Sequence, residues 1–204
     1  MRIAILSNSD LGYDFLKEHL TFREIEKNQG LEYVKGKLQN QWVLVVNSRN
    51  LESQKFLELL ALEEISHLLS LGFVEQSNAP LVPGDVLVAG QVETISIPPK
   101  LVDWCLAAVD ECEDLADEKV VVGALSSSLP SDIVDGDVFG VDGQAGAIAV
   151  TCERRGLDAF FIRIFKGCQE EELDQQFYSE CQQKFFWLVK GILDQINKYR
   201  HTAI

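Results

Sequence analysis

The sequence has no closely spaced cysteine pair, no paired histidines and no long apolar run, and each absence removes a class of protein. Its five cysteines are Cys105, Cys112, Cys152, Cys168 and Cys181. An odd number without CxxC spacing excludes a disulfide framework and a zinc knuckle, so reduced, partly buried thiols are expected. The three histidines, His19, His67 and His201, lie far apart with no HExxH pattern, so no metal or other cofactor is implied. No stretch approaches the roughly 18 apolar residues of a membrane span. The opening Met-Arg-Ile-Ala-Ile-Leu turns polar at Ser7, too early for a signal-peptide core, so a soluble cytoplasmic protein is expected. Bases are scarce as well. Against 32 Asp and Glu stand 18 Lys and Arg, and 18 − 32 gives a net charge of −14. Such a surface repels phosphate backbones and anionic lipid, so neither nucleic acid nor membrane is an expected partner. A small anionic ligand stays open, because a pocket can differ locally from the surface.

What is present fits one globular domain spanning residues 1–204: 47% of residues are apolar and 25% charged, enough for a sizeable core. Short β-like runs alternate with helical patterns, the arrangement of a sheet flanked by helices. Ile3–Leu6 reads as a strand ending in Ser7-Asn8-Ser9-Asp10, a cluster suited to capping a helix that carries Phe15, Leu16 and Leu20. Leu31–Val34 and Trp42–Val46 read as strands joined by a polar turn near Gly36–Gln41. Helical spacing runs from Leu51 to Ile65, followed by strands at His67–Leu71 and Asp85–Val92. Pro99–Glu111 is a helix with proline in its first turn, and Val120–Leu125 a β-branched strand. Ser126–Asp137 is loop-rich, Gly143–Arg155 a small-residue helix, and Ala159–Phe165 a strand interrupted by Arg163. The spacing then predicts a long amphipathic helix over Glu170–Lys198, with Phe185, Val189, Ile192 and Ile196 on one side.

The run Gly140-Val-Asp-Gly-Gln-Ala-Gly-Ala-Ile-Ala-Val-Thr-Cys152, followed by Ala159-Phe-Phe-Ile-Arg163, resembles paired landmarks of the nucleoside phosphorylase superfamily. The resemblance is closest to its methylthioadenosine/S-adenosylhomocysteine nucleosidases, with their V-E-M-E-(small)-(small)-A-I-A helix start and P-F-V-V-I-R-S-I-S-D strand. Leu68–Phe73 and Val82–Val88 resemble the upstream I-N-T-G-S-A-G-G and V-G-D-V-V-I-S pair, and Gly30–Gly36 with Trp42–Val46 the early hairpin. The motifs fall in family order over almost the whole chain. The resemblance implies a three-layer α/β/α sandwich with a mixed, twisted central sheet. It also implies a purine nucleoside or related small molecule as ligand, and a homodimer with sites near the subunit interface.

Cleaving an N-ribosidic bond needs an acid for the departing purine, polar groups for the sugar hydroxyls and an activated nucleophile. The family's purine-protonating aspartate matches Gly167, which has no side-chain proton to give. Its ribose carboxylate matches Gln144, which can hydrogen-bond a sugar but brings no negative charge, and the acid two residues earlier matches Asp142. The water-activating glutamate falls at about Gly12, with Asp10 and Asp14 nearby. A one- or two-residue shift leaves Asp10 as a candidate base, so Asp10 and Asp142 are the catalytic candidates. Gly72, Phe73, Asp142, Gly143, Gln144 and Lys166 are the ligand-binding candidates.

Three further departures point the same way. Asn47-Ser48-Arg49-Asn50 replaces a glycine-rich turn, and Ser70–Glu75 a TGSAGG turn. Only Gln91–Pro98 lies where the family inserts a substrate-covering segment. Simpler readings compete at several positions. Asp142 suits a helix cap, Arg163 an internal ion pair, Lys166 plain solvent exposure, and Ser126-Ser127-Ser128 an ordinary turn rather than a phosphate cradle. Phe177, Phe185, Phe186 and Trp187 suit the core or a subunit interface. The sequence therefore leads to two expectations: a diverged nucleoside-binding protein with N-ribosyl cleavage weakened, altered or lost, or an inactive relative serving as a binding or assembly module.

Overall fold

The structure, a computed structural model, describes residues 2–28, 31–48, 53–78, 81–115, 118–128, 138–167 and 175–202. Arg49 and Asn50, most of the Ser126–Asp137 loop and the expected start of the last helix lie outside those residues. The first strand, β1 (Arg2–Ser7), runs into α1 (Asp10–Glu18), whose first turn is capped by Ser9: its Oγ accepts the Gly12 N–H at 3.0 Å. Strands β2 (Thr21–Asn28), β3 (Leu31–Leu38) and β4 (Gln41–Asn47) form an antiparallel flank. The turn between β3 and β4 is narrower than the spacing suggests. Gln39 and Asn40 both have positive φ, 49° and 64°, as a two-residue hairpin requires. Gly36 therefore lies inside β3, where a Cβ would come 2.9 Å from the Leu20 Cβ.

The chain continues through α2 (Ser53–Leu62), β5 (Ile65–Val74), β6 (Val86–Val92), β7 (Ile95–Ser96) and α3 (Pro99–Asp110). It then forms β8 (Val120–Ser126), β9 (Phe139–Val141), α4 (Ala145–Arg155), β10 (Asp158–Phe165) and α5 (Gln175–Thr202). The strands make one mixed sheet in the order β2-β3-β4-β1-β5-β10-β6-β8-β9, with β7 paired to β6. Neighbours β4, β1, β5 and β10 are parallel, as are β6, β8 and β9, whereas β10 and β6 are antiparallel.

Side-chain alternation along β10 sorts the helices into two layers. Phe160 stacks on Trp104 of α3 at 6.2 Å, while Arg163, of opposite parity, reaches Asp142 before α4. Helices α1 and α3 pack on α5, and α2 packs on α4. The fold is the expected three-layer α/β/α sandwich around a mixed sheet. Its central strands are near-continuous apolar runs because both faces are covered, with Ile3–Leu6 and Phe160–Ile162 almost wholly buried.

Candidate functional site

In a sheet of this kind, ligands sit beyond the carboxyl ends of the parallel strands. There the structure has a crevice of two adjoining hollows, of about 340 and 330 Å³. Asn8, Phe73 and Glu75 line both. Ser9, Asp10, Lys166 and Tyr178 complete one, and Gln76, Val141, Asp142, Gly143 and Gln144 the other. Of the residues expected at the site, Asp10, Phe73, Asp142, Gly143, Gln144 and Lys166 all line this crevice. Asn8 and Tyr178 join them without a signal in the sequence motifs.

Gly72 backs the crevice rather than facing it. A Cβ on Gly72 would stand 2.2 Å from the carboxamide of Asn8, and that carboxamide accepts the Phe73 N–H at 3.2 Å. A glycine beside a turn was the available signal for a close neighbour such as Asn8. Tyr178 arrives from α5, its ring edge-on to Phe73 at 6.0 Å, while Phe185 of the same helix is buried against Phe73 at 5.5 Å. Phe186 and Trp187 are half-buried, with the Lys190 ammonium 4.1 Å from the Trp187 ring.

The crevice floor rests on a buried ionic cluster. Arg163, 1% exposed, donates from Nε to Asp142 Oδ2 at 2.6 Å and from Nη1 to the carbonyls of Ser70 and Ile162 at 2.6 and 2.9 Å. Its Nη2 donates to Ser70 Oγ at 3.0 Å. The other Asp142 oxygen accepts the N–H groups of Gln144 and Ala145, at 2.8 and 3.2 Å, at the start of α4. Burial alone would raise the Asp142 pKa. The Arg163 charge and the two amides outweigh it and hold the carboxyl below its ordinary range. Asp142 thus fixes the backbone at Gln144, where the chain enters α4.

The two glycines matched to the family's acids differ in their surroundings. A Cβ on Gly12 would meet Ser7 Oγ at 2.6 Å and Ser9 Oγ at 3.0 Å. Gly167 has φ +92°, a backbone region in which any side chain is strained. Asp10, in the first turn of α1, accepts from Asn47 Nδ2 at 2.6 Å. Lys166 pairs with Glu75 across the crevice mouth at 2.5 Å.

The segment from Gln91 to Pro98 is a tight β6–β7 hairpin that reverses at Glu93 and Thr94. Glu93 has positive φ, 52°, and its carboxylate accepts Ser126 Oγ at 3.2 Å and Ser127 N–H at 2.7 Å. Ser126 ends β8, and Ser127 and Ser128 bend away from it, with Glu93 holding Ser126 and Ser127. Among the described residues no cluster of His, Cys, Asp or Glu could hold a metal ion, and no helix is long and apolar enough to cross a membrane.

No protein-family model and no curated protein matches the sequence. Solved structures do. The chain is similar to the 5′-methylthioadenosine/S-adenosylhomocysteine nucleosidase of Campylobacter jejuni, with a TM-score of 0.77 and 16% identity over 96% of this chain and 99% of that one. The Colwellia psychrerythraea nucleosidase, solved in complex with adenine, gives 0.77 and 16% over 96% and 95%. The futalosine hydrolase of Helicobacter pylori gives 0.74 and 14% over 96% and 98%. The chain has the nucleosidase fold. Fold alone does not carry chemistry, and at this identity the nucleosidase fold leaves the reaction to be argued from the crevice.

Proposed function

We propose that this protein binds a purine nucleoside or a related small molecule in the crevice and cleaves its N-ribosyl bond weakly or not at all. One observation carries the reading: the crevice has a hydrogen-bonding rim while both acid-matched positions are glycines, Gly12 beside the Ser7 and Ser9 hydroxyls and Gly167 at positive φ. Asn8, Gln76 and Gln144 supply donors and acceptors suited to hydroxyls and ring nitrogens, and Phe73 and Tyr178 give an aromatic wall. In this reading Asp142 orients α4 rather than transferring protons. Asp10 is the remaining candidate base, and Lys166 brings a cation where a purine-protonating acid would be needed. The ligands of the neighbours favour the same class, adenine in the Colwellia structure and methylthio-immucillin-A in that from Neisseria meningitidis.

The protein acts in the cytoplasm as a homodimer in this reading, with no nucleic-acid or membrane partner. The second reading, an inactive binding or assembly module, is favoured by the same two glycines. Thermal melting with adenosine, inosine, methylthioadenosine and adenosylhomocysteine separates the two. A nucleoside-dependent rise in melting temperature that Gln144→Ala diminishes is expected. No rise with any of the four would leave the module reading.

A further inference from the structure

We infer that the protein has a second binding site, remote from the crevice, for a small organic cation whose ammonium meets Glu24 and whose apolar body lies against Trp42. The site is a cavity of about 240 Å³ at the amino ends of the parallel strands. Arg2 and Ile65 open β1 and β5, and Trp42 stands at the start of β4. The crevice lies beyond the carboxyl ends of the same strands. The inference does not depend on the nucleoside-directed reading above.

The floor of the cavity is apolar and fixed, because Val43, Leu44 and Ile65 are buried in the sheet. Trp42 forms a wall and remains 46% exposed. Indole is the best of the aromatic rings at attracting a cation, and Trp42 already has the Lys37 ammonium 5.2 Å from its ring centre. Lys37 stands outside the cavity lining, so the part of the indole that faces the cavity is left to a ligand.

The rim sets the sign of charge. Three carboxylates, Glu24, Glu26 and Glu63, meet two cations, Arg2 and Lys35. Lys35 sits between Glu63 at 2.7 Å and Glu26 at 2.9 Å, and Arg2 is on Glu63 at 3.0 Å. Glu24 lies directly across the β2–β3 ladder from Lys35, yet Lys35 turns to the other two acids. Among the described residues Glu24 makes no ion pair and no side-chain hydrogen bond. One uncompensated carboxylate beside an indole, above an apolar floor, selects a cation with a hydrocarbon body over an anion. At ~30 Å³ per water-sized group, the volume takes about eight non-hydrogen atoms. An alkylamine or arylalkylamine has that size and charge.

The test is an NMR titration of the full chain with hexylamine and phenethylamine, with 2-phenylethanol and phenylacetate as neutral and anionic counterparts. Both amines are expected to bind and to shift the indole N–H signal that Trp42→Leu removes. The alcohol should bind about tenfold more weakly than phenethylamine, and phenylacetate more weakly still. Glu24→Gln should weaken the amines about fivefold and leave the alcohol unchanged. Trp42→Leu should weaken the amines about twofold to fivefold. Both side chains are exposed, so both variants should fold, which melting curves check. No amine binding, an alcohol that binds as tightly as the amine, or amine binding indifferent to Glu24→Gln each overturns the site. Displacement of the amines by adenosine would place them in the crevice and overturn it as well.

Discussion

Two buried carboxylates, Asp142 beneath the crevice and Glu63 near the start of β1, hold their cations in opposite ways. Asp142 and Arg163 are both sealed from water, with side chains 5% and 1% exposed. Glu63 is equally buried, but its partners are not: Lys35 at 2.7 Å is 25% exposed and Arg2 at 3.0 Å is 53% exposed. Tyr33 adds a hydrogen bond at 3.4 Å, and Lys35 is shared with Glu26. Removing a partner from the outer cluster lets the rest turn toward solvent. Removing one from the inner cluster strands a charge in the core. The more costly arrangement lies under the crevice and fixes the backbone at Gln144.

The largest expected effect is therefore at Arg163. Arg163→Met should cost about 3–5 kcal/mol in chemical denaturation. Pairing it with Asp142→Leu should recover part of that loss, because the stranded charge goes too. Acid comes next. The folded Asp142 carboxyl titrates below its unfolded value of about 3.9, so its stabilisation is complete above that value and is lost as pH falls through the lower folded one. The stability gap between wild type and Arg163→Met should narrow as pH falls below about 3.9.

For the outer cluster, Glu63→Gln should cost only about 1.5 kcal/mol, since the loss is mainly of charge-assisted hydrogen bonds. The smallest effect belongs to the exposed Lys166–Glu75 pair, where Lys166→Gln should change stability by about 0–1 kcal/mol. A large loss for Glu63→Gln, or a small one for Arg163→Met, would erase the contrast between the clusters.

Legibility in the sequence followed burial. Strands covered on both faces, such as β1, β5 and β10, announce themselves as apolar runs. The exposed edge strand β2 does not, because Thr-Phe-Arg-Glu-Ile-Glu-Lys-Asn buries almost nothing and follows no alternation. The short β7 and β9 offer too few residues for a pattern. At the crevice, Asp142, Gln144 and Lys166 were reachable through ordered motifs. Asn8 was visible only as part of a helix cap, and Tyr178 only as one residue of an amphipathic helix, since both depend on how distant segments meet. The reasons for Gly12 and Gly167 were likewise hidden: a clash with Ser7 and a positive φ are properties of the folded backbone.

The central claim, a nucleoside crevice with N-ribosyl chemistry weakened or lost, is tested most directly by a single-turnover experiment. Excess protein is incubated with methylthioadenosine, adenosylhomocysteine, inosine or adenosine, with and without phosphate, and free base is followed by chromatography. The account predicts that bound nucleoside is recovered largely intact over hours. Prompt stoichiometric release of base, on the timescale of about 1 s⁻¹ or faster that ordinary enzymes reach, would contradict it.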